Sequence, residues 1–418
     1  MKCLIIYSSL ATAIFSLITN QGFAATLTVT TTADSGPGTL RQAILDANAD
    51  ASPGVVSIAF NIPGAGVQTI TPLSALPTIT RPVTIDGYTQ PGASPNTLAQ
   101  GDNAVLLIEL NGINLSDILD RALYIQGTGS TVRGLVINRF TAADSALLVE
   151  FADNTVIEGN FIGTDATGTN VLGNNAGIAT YSSNGNRIGG LAPASRNIIG
   201  GNAYVGIGLA YVSSSNQVLG NYIGMGADGL TVVTNGYGID VTDPQNQIGG
   251  SAPGARNVIS GNHIACAVGS GNAVQGNFIG TDASGTLPRG NFYGIHLAES
   301  ANCLIGGTNA GEGNVISAND SGLVIQGVTA TNISRRRQSH RHRCLRHQCL
   351  GQHHLRCGHL WSRQYHRRRH SGIAQCNFCK HLQCWLGIHR EQRRARKLRW
   401  DGYHRPKGLG DWYLWRLR

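Results

Sequence analysis

Three short phrases recur in the same order about 60 residues apart, and this repeat is the strongest constraint on the fold of the 418-residue chain. The first reads GNFIGTDATGT from Gly159, GNYIGMGADGLT from Gly220 and GNFIGTDASGT from Gly276. The second reads NRIGG from Asn186, NQIGG from Asn246 and CLIGG from Cys303. The third reads RNIIGGN from Arg196, RNVISGN from Arg256 and GNVISAN from Gly313. A fixed period of this length indicates a chain built by stacking similar units.

Each phrase places two to four β-branched or aromatic residues beside glycine or asparagine, the residue types that accept a positive φ. The repeats contain no apolar period of 3.6 residues, so helices are not expected in them. The pattern predicts rungs of a parallel β-solenoid, with inward Ile, Val and Leu stacked in columns. At about 20–25 residues per rung, one repeat would supply two to three rungs.

Asparagines that recur at equivalent repeat positions are predicted to hydrogen-bond from rung to rung through their side-chain amides. One ladder would contain Asn160, Asn221 and Asn277, and the other Asn202, Asn262 and Asn319. We interpret these residues as structural rather than as ligands of a bound molecule.

The segment before the repeats predicts a cap, because a solenoid end exposes strand edges that must be covered. Thr39 is a suitable N-cap for a helix that Asn48 can end. The apolar face of this helix would consist of Leu40, Ala43, Ile44 and Ala47. We therefore expect a strand and a helix within residues 25–50, followed by the β-helix in residues 51–332.

The segment TLTVTTTADSGPGTLRQAILDANAD from Thr26, VTIDGYTQPGA from Val83 and the GNFIGTDATGT phrases resemble bacterial secreted right-handed parallel β-helix proteins. The resemblance covers the chain as far as residue 332. It implies an all-β fold of the pectin-lyase-like type, a right-handed parallel β-helix with a short N-terminal capping helix. The N-terminal segment is similar to the CSLREA type, although this chain has GTLRQA from Gly38 at the namesake position.

The first 24 residues read as a secretory signal peptide, with Lys2, an apolar run from Cys3 to Ile18, and small residues before a cut after Ala24. The protein is therefore expected to be exported, to the outside or the surface of a bacterial cell. The sequence has no second long apolar span, so no transmembrane segment is expected in the mature chain. Between residues 25 and 332 the cysteines are Cys266 and Cys303, so at most one disulfide is expected there.

Charge separates the chain into two parts. Residues 26–332 hold 9 Arg, no Lys and 20 Asp plus Glu, a net charge of −11, which argues against nucleic acid as a partner. Residues 333–418 hold 22 Lys plus Arg against 3 acids. All five Trp and 11 of the 13 His also lie in this second part, so the two parts need separate interpretations.

Enzymes of the fold that the resemblance implies cleave acidic polysaccharides, but no catalytic residue can be assigned from the sequence. A lyase needs a basic residue near the substrate carboxylate, and a hydrolase needs converging carboxylates. The best local acid pair is Asp240 and Asp243, while His263 and His296 are isolated. The equivalent repeat positions of Arg196 and Arg256 indicate a structural role for both.

Calcium is the one cofactor for which the sequence offers candidate ligands. The equivalent residues Asp165 and Asp282 are weak candidates for binding it, since the second repeat has Gly226 at that place and Asp228 two residues later. Calcium needs several oxygen ligands at fixed offsets. A single aspartate that bonds its own turn is the preferred interpretation.

An extended stacked surface suits binding, and a polysaccharide or a surface protein is the expected partner. Six tyrosines are candidates for stacking on sugar rings: Tyr88, Tyr181, Tyr204, Tyr211, Tyr237 and Tyr293. Two hypotheses remain: a secreted or surface-attached binding, adhesion or structural module, and a polysaccharide lyase or glycoside hydrolase on the same fold. Three or more carboxylates, or carboxylates with Arg, clustered on one face of a rung would favour the enzyme. An even spread of single acids at turns would favour the module.

The basic tail, residues 333–418, fits neither a zinc site nor a packed domain, and it is expected to be disordered or irregular. Cys344 and Cys349 lack zinc-ligand spacing. Synonymous codons for residues 340–354 can be read one base later as IGTDAFGTSALGNT, a variant of the first phrase. The same offset gives GNTIGGATAALRNVIS from residue 363 and GNFVGTDITGQKAL from residue 396. We interpret the tail as out-of-frame translation of further repeats.

Overall fold

The computed structural model describes residues 25–327, 331 and 333–335, which form a parallel β-solenoid, so the predicted fold class is confirmed. The predicted signal peptide, residues 1–24, lies outside the described residues, as does nearly all of the basic tail. In the part of the chain that is described, no helix is long and apolar enough to cross a membrane.

Three sheets, called A, B and C in the order in which each turn of the coil reaches them, form its walls. Sheet A consists of Thr26–Val29, Val56–Phe60, Val83–Asp86, Thr131–Arg133, Val156–Glu158, Arg187–Gly189, Gln217–Leu219, Gln247–Gly249, Ala273–Gln275, Leu304–Ile305 and Ser334–Arg335. Sheet B consists of Gln68–Ile70, Ile108–Asn111, Leu135–Asn138, Phe161–Ile162, Ile198–Ile199, Tyr222–Ile223, Val258–Ile259, Phe278–Ile279 and Val315–Ile316. Sheet C consists of Leu123–Ile125, Leu147–Glu150, Ala176–Tyr181, Val205–Ala210, Tyr237–Val241, Ile264–Val268, Tyr293–Ala298 and Ser321–Gln326.

One sequence repeat forms two turns of the coil. Arg187 pairs with Gln217, which pairs with Gln247, so these turns are each 30 residues long. A turn is therefore longer than the 20–25 residues expected from the sequence. The additional residues lie in two kinds of loop that alternate along the coil, one between sheets A and B (190–197) and one between sheets B and C (163–175). One repeat of the sequence spans two turns and does not mark where each turn begins, which is why the sequence underestimated the turn.

The apolar residues inside the coil stack in columns, one residue per turn. In sheet A the register aligns Ile157, Ile188, Val218, Ile248 and Val274, all of them buried. Full burial of such a side chain contributes roughly 1.5–3 kcal/mol relative to exposure. The columns are thus the main source of stability along the coil.

The predicted N-terminal helix is present as α1 (Leu40–Ala49), and the side chain of Thr39 accepts a hydrogen bond from the backbone N–H of Gln42. The buried face of α1 consists of Leu40, Ala43, Ile44 and Ala47. These residues join the same apolar core as the first strands of sheet A. The helix therefore packs against the first turn of the coil.

Asparagine side chains form ladders at the three corners of the coil. At the corner between sheets A and B, successive Nδ2 atoms donate to successive Oδ1 atoms over 2.9–3.2 Å in the order Asn160, Asn197, Asn221, Asn257, Asn277 and Asn314. At the corner between sheets B and C, the corresponding distances are 2.7–3.2 Å in the order Asn174, Asn202, Asn235, Asn262, Asn291 and Asn319. The asparagines selected from the sequence thus alternate with others, because each repeat contributes two turns.

The third corner, between sheets C and A, carries a ladder that the sequence analysis missed. Its members are Asn186, Asn216, Asn246 and Asn272, and each backbone N–H donates to the Oδ1 of the next asparagine. In the following turn Cys303 precedes the sheet A strand, and its thiol donates to the carbonyl of Gly269. Cys266 and Cys303 are both buried and free, so no disulfide links them.

The outer face of sheet B is covered by loops. A second apolar cluster includes Phe161, Tyr222 and Val258, together with residues of the loops that pack over them. Arg196 lies 4.4 Å above the Tyr222 ring and donates to the carbonyls of Leu98, Ala99 and Gly101. These contacts hold the long loop of residues 88–105, which we call the excursion, over sheet B.

The outer face of sheet A carries paired charges. Arg133 contacts Asp86 at 2.7 Å, and Arg187 contacts Glu158 at 3.0 Å. Since these acids and bases neutralise each other in ion pairs, this face offers little unpaired charge to a ligand.

Candidate functional site

The outer face of sheet C carries a row of mostly small residues with one carboxylate. Ala179, Gly208, Asp240, Ala267 and His296 are Cα partners in five successive strands. Strands lie about 4.8 Å apart, so this row runs for about 20 Å along the coil axis. Small residues on either side of Asp240 leave a depression around its carboxylate.

Aromatic side chains border this row, and we call them the aromatic row. Their ring centroids are separated by 4.9 Å for Tyr181–Tyr211, 5.6 Å for Tyr204–Tyr237, 5.0 Å for His263–Phe292, 4.6 Å for Phe292–Tyr293 and 5.7 Å for Tyr293–His296. All eight side chains are at least partly exposed. Aromatic rings in such contacts form a broad, relatively rigid surface.

The asparagine ladder between sheets B and C positions much of the aromatic row. Tyr204, Tyr237 and Tyr293 each lie two residues after a ladder asparagine. The backbone continues the pairing, since the N–H of Tyr237 donates to the carbonyl of Tyr204 over 2.7 Å. An aromatic residue two positions after a ladder asparagine is therefore a sequence signal for this face.

A groove of about 310 Å³ opens on the sheet C face beside Asp240. Its other polar side chains are Thr242, Ser270, His296, Glu299 and Ser300. Burial raises the pKa of the Asp240 carboxyl to about 6. Burial, followed by the nearby charge of Asp240, raises the pKa of Tyr204 to about 12.

The N-terminal part of sheet C carries a paired-charge network. Arg121 donates two hydrogen bonds to Asp144, at 2.8 and 2.6 Å, and lies 5.2 Å from the centroid of the Tyr124 ring. The Tyr124 hydroxyl donates to Glu150 and accepts a bond from Gln126. These charged groups pair with one another, whereas no described residue pairs with the Asp240 carboxylate.

Several residues selected from the sequence lie away from this face. Tyr88 belongs to the cover of sheet B, and its hydroxyl donates to the Gly159 carbonyl at 2.8 Å. Asp243 accepts a bond from the backbone N–H of Ser213, so it does not pair with Asp240 in the groove. Arg256 lies 4.2 Å from the Phe278 ring centroid, as Arg196 does over Tyr222, so the two arginines have equivalent packing.

The two calcium candidates bond within their own loops. The Asp165 carboxylate accepts hydrogen bonds from the Thr167 hydroxyl at 2.7 Å and from the Asn170 amide at 2.8 Å. The Asp282 carboxylate accepts bonds from Ser284 and from the backbone of Leu287. These bonds lower the pKa of both carboxyls, although partial burial opposes them. Among the described residues, no group of three or more His, Cys, Asp or Glu side chains is arranged to hold a metal ion.

The structure adds residues to the site that sequence reasoning missed. Glu299 and Thr242 line the groove, and Phe292 lies between His263 and Tyr293 in the aromatic row. Glu299 lies about 60 residues from Asp240 in the sequence. Only the pairing of sheet C brings the two to one groove.

No protein-family model matches the chain, and no curated protein matches it either. Among solved structures, the chain is similar to the alginate lyase from Paenibacillus sp. str. FPU-7, at 15% sequence identity and a TM-score of 0.36. The similarity covers 75% of this chain and 99% of that enzyme.

Proposed function

We propose that this protein is an exported or cell-surface binding protein that holds a polysaccharide lengthwise along the sheet C face. The observation that carries the proposal is the aromatic row, whose ring contacts flank a floor of small residues. Tyr204, Tyr237 and Tyr293 precede this floor in the chain, and Tyr181 and Tyr211 follow it. Sugars present apolar C–H faces that pack on aromatic rings and hydroxyls that bond to polar side chains. The groove beside Asp240 supplies both kinds of surface in one place.

The geometry favours an extended ligand over a compact one. The row of Cα partners runs about 20 Å along the axis, and the ring contacts Tyr204–Tyr237 and Tyr293–His296 lie beside it. Stacked turns of a solenoid give such continuous surfaces, whereas a compact ligand is usually enclosed by a deeper pocket.

Affinity electrophoresis in gels that contain single polysaccharides tests this proposal. Replacing both Tyr204 and Tyr237 by Ala is expected to weaken retardation about tenfold, since each ring contributes about 0.5–1.5 kcal/mol. The double Phe variant at the same positions is the control and should bind nearly as well as the wild type. Equal retardation of the wild-type and Ala proteins, or none in any gel, would contradict the proposal.

A glycoside hydrolase is the second candidate, because Asp240 and Glu299 line the same groove. Hydrolases need one carboxyl that is protonated near neutral pH and one that is ionised. A pKa raised to about 6 suits Asp240 to the first of these roles. A lyase is less well supported, because the groove-lining residues that the structure describes include no Lys or Arg to neutralise a substrate carboxylate.

Release of reducing ends from the polysaccharide that binds best separates the two functions. A binding protein releases none. A hydrolase would release them at a rate that Asp240→Asn and Glu299→Gln each abolish, while both variants still bind the polymer.

A further inference from the structure

The sheet C face is short of positive charge where the groove opens. The described residues that line the groove include the acids Asp240 and Glu299, one histidine, and neither Lys nor Arg. Further along the face, Arg121 is held by both carboxylate oxygens of Asp144. The whole of residues 26–332 contains no lysine and carries a net charge of −11.

Asp240 lacks a partner for its charge within the described part of the chain. Its neighbours in the adjacent strands are Gly208 and Ala267, neither of which has a polar side chain. No described residue donates a hydrogen bond to its carboxylate, and burial is the cause of its pKa shift. A half-buried carboxylate without a cation is costly unless a ligand supplies the charge.

The groups that face Asp240 do not supply that charge. Tyr204 and Tyr237 approach it from the corner between sheets B and C, and each feels the charge of Asp240 through space. Glu299 and His296 lie across the groove.

We propose that the polysaccharide held along this face bears protonated amino groups, and that Asp240 receives one of them in the groove. This inference rests on the proposed function and specifies its substrate class. An ammonium group on a sugar ring would donate hydrogen bonds to the Asp240 carboxylate while the ring packs beside Tyr204 and Tyr237. Charge-assisted hydrogen bonds of this kind are stronger than neutral ones.

A uronic acid polymer is disfavoured by the same charges. Its carboxylates would face the Asp240 carboxylate, for which no described residue supplies a cation that would offset the repulsion. A neutral polymer would avoid the repulsion but would leave Asp240 uncompensated.

The test is isothermal titration of the full chain with three oligosaccharides of equal length. They are a glucosamine oligomer, its fully N-acetylated counterpart, and an oligouronate. At low salt and about pH 6.5, where most of the amines are protonated, the glucosamine oligomer should bind about tenfold more tightly than the acetylated one. The oligouronate should bind least.

The matched variant is Asp240→Asn, which keeps the size and removes the charge. It should reduce the preference for the amine form to less than about twofold without weakening the acetylated oligomer. Asp46→Asn, on the exposed side of α1, removes one charge away from the groove and should leave the preference unchanged. Added salt should weaken the amine form most.

The outcomes distinguish the two proposals. Equal binding of all three oligomers, or tighter binding of the oligouronate, overturns the amine inference and leaves polysaccharide binding intact. Failure of every oligomer and polymer to bind overturns the proposed function as well. An amine preference that survives in Asp240→Asn overturns the role of Asp240.

Discussion

Asparagine side chains make the same hydrogen bonds in successive turns of this coil. At the corner between sheets A and B, the Asn221 amide donates to the carbonyl of Ile188 at 2.9 Å and to the Oδ1 of Asn257 at 3.2 Å. Its own Oδ1 accepts a bond from Asn197 at 2.9 Å. Each ladder asparagine thus satisfies buried groups in the turn before and the turn after its own. No apolar side chain can do this.

Asn221→Ala is expected to destabilise the protein by several kcal/mol. It leaves the Ile188 carbonyl and the Asn197 amide buried without these partners, at about 1–3 kcal/mol for each group. Denaturant unfolding measures the change. Asn61→Ala is the control, because Asn61 is exposed, and its loss should change stability by less than about 0.5 kcal/mol. Equal stability of the two variants would show that the ladder contributes little.

Asp240 is expected to make stability depend on pH. Its carboxyl has a pKa of about 6 in the folded protein against 3.8 as the ordinary value, so the folded state holds the proton more tightly. The ionised form therefore costs stability, and this cost grows as pH rises from about 4 to above 6. Asp240→Asn should have a higher Tm than the wild type near pH 7.5, with the gap narrowing near pH 4. A gap that is constant with pH would contradict the raised pKa.

Loops between the sheets determine which outer face of the coil is accessible. Arg196 and Arg256 occupy equivalent repeat positions and pack on equivalent rings. Arg196 additionally donates to three carbonyls of the 88–105 excursion, whereas the Arg256 Nε donates to the carbonyl of Gly276. The arginine at this repeat position therefore has a second role at Arg196, where the excursion passes above it and accepts its hydrogen bonds.

Arg196→Met should loosen the excursion over sheet B. The variant keeps an apolar side chain over Tyr222 but loses the bonds to Leu98, Ala99 and Gly101. Amide hydrogen exchange in residues 98–102 should accelerate about tenfold or more. Arg256→Met is the matched control and should leave exchange in these residues unchanged. Acceleration in both variants would assign the effect to general destabilisation.

The GTDATGT-type loops should not depend on calcium. Asp165 and Asp282 use their carboxylates to close their own loops, so a metal ion would have to displace hydrogen bonds that already exist. Addition of a chelator is expected to leave the Tm unchanged within error, and calcium should not raise it. A calcium-dependent rise in Tm that Asp282→Asn removes would establish a site there.

The length of the coil is a property of the whole molecule. In sheet A the Cα partner of Ile305 is Arg335, at the register position where other turns have Ile or Val. The repeat requires Gly and Asn two and three residues after this position, as at Gly276 and Asn277 after Val274. The given sequence has Arg337 and Gln338 there. Codons for Arg337, Gln338 and Ser339 can be read one base later as Gly-Asn, in agreement with the other out-of-frame phrases.

Resequencing codons 325 to 345 from fresh genomic DNA is expected to reveal a one-base difference that restores the repeat. The restored chain would continue all three asparagine ladders and add turns, and stability should rise with each added interface between turns. Confirmation of the present frame would contradict the prediction, and peptides of the basic tail would then be detectable by mass spectrometry.

The solenoid, its cap and much of its asparagine pattern could be predicted from the sequence alone. These features arise from local chemistry, because strand formers, positive-φ glycines and amide side chains recur at fixed spacing within each repeat. Gly220 illustrates this, since its φ is +71° and a Cβ there would collide with the Gly190 carbonyl. Thr39 could likewise be identified from the sequence as the N-cap, because the start of a helix depends on neighbouring residues.

Three features required the tertiary structure: the number of residues in each turn, the alternation of asparagines from the two turns of a repeat, and the membership of the groove. Asp240, Ala267 and His296 meet because sheet C pairs them in register, and no local pattern in the sequence marks these residues of successive turns as neighbours. Tyr88 resembles the other tyrosines in sequence yet lies over sheet B, because a loop carries it there. Local chemistry specifies the coil, whereas the lateral pairing of its turns specifies the face on which a ligand would bind.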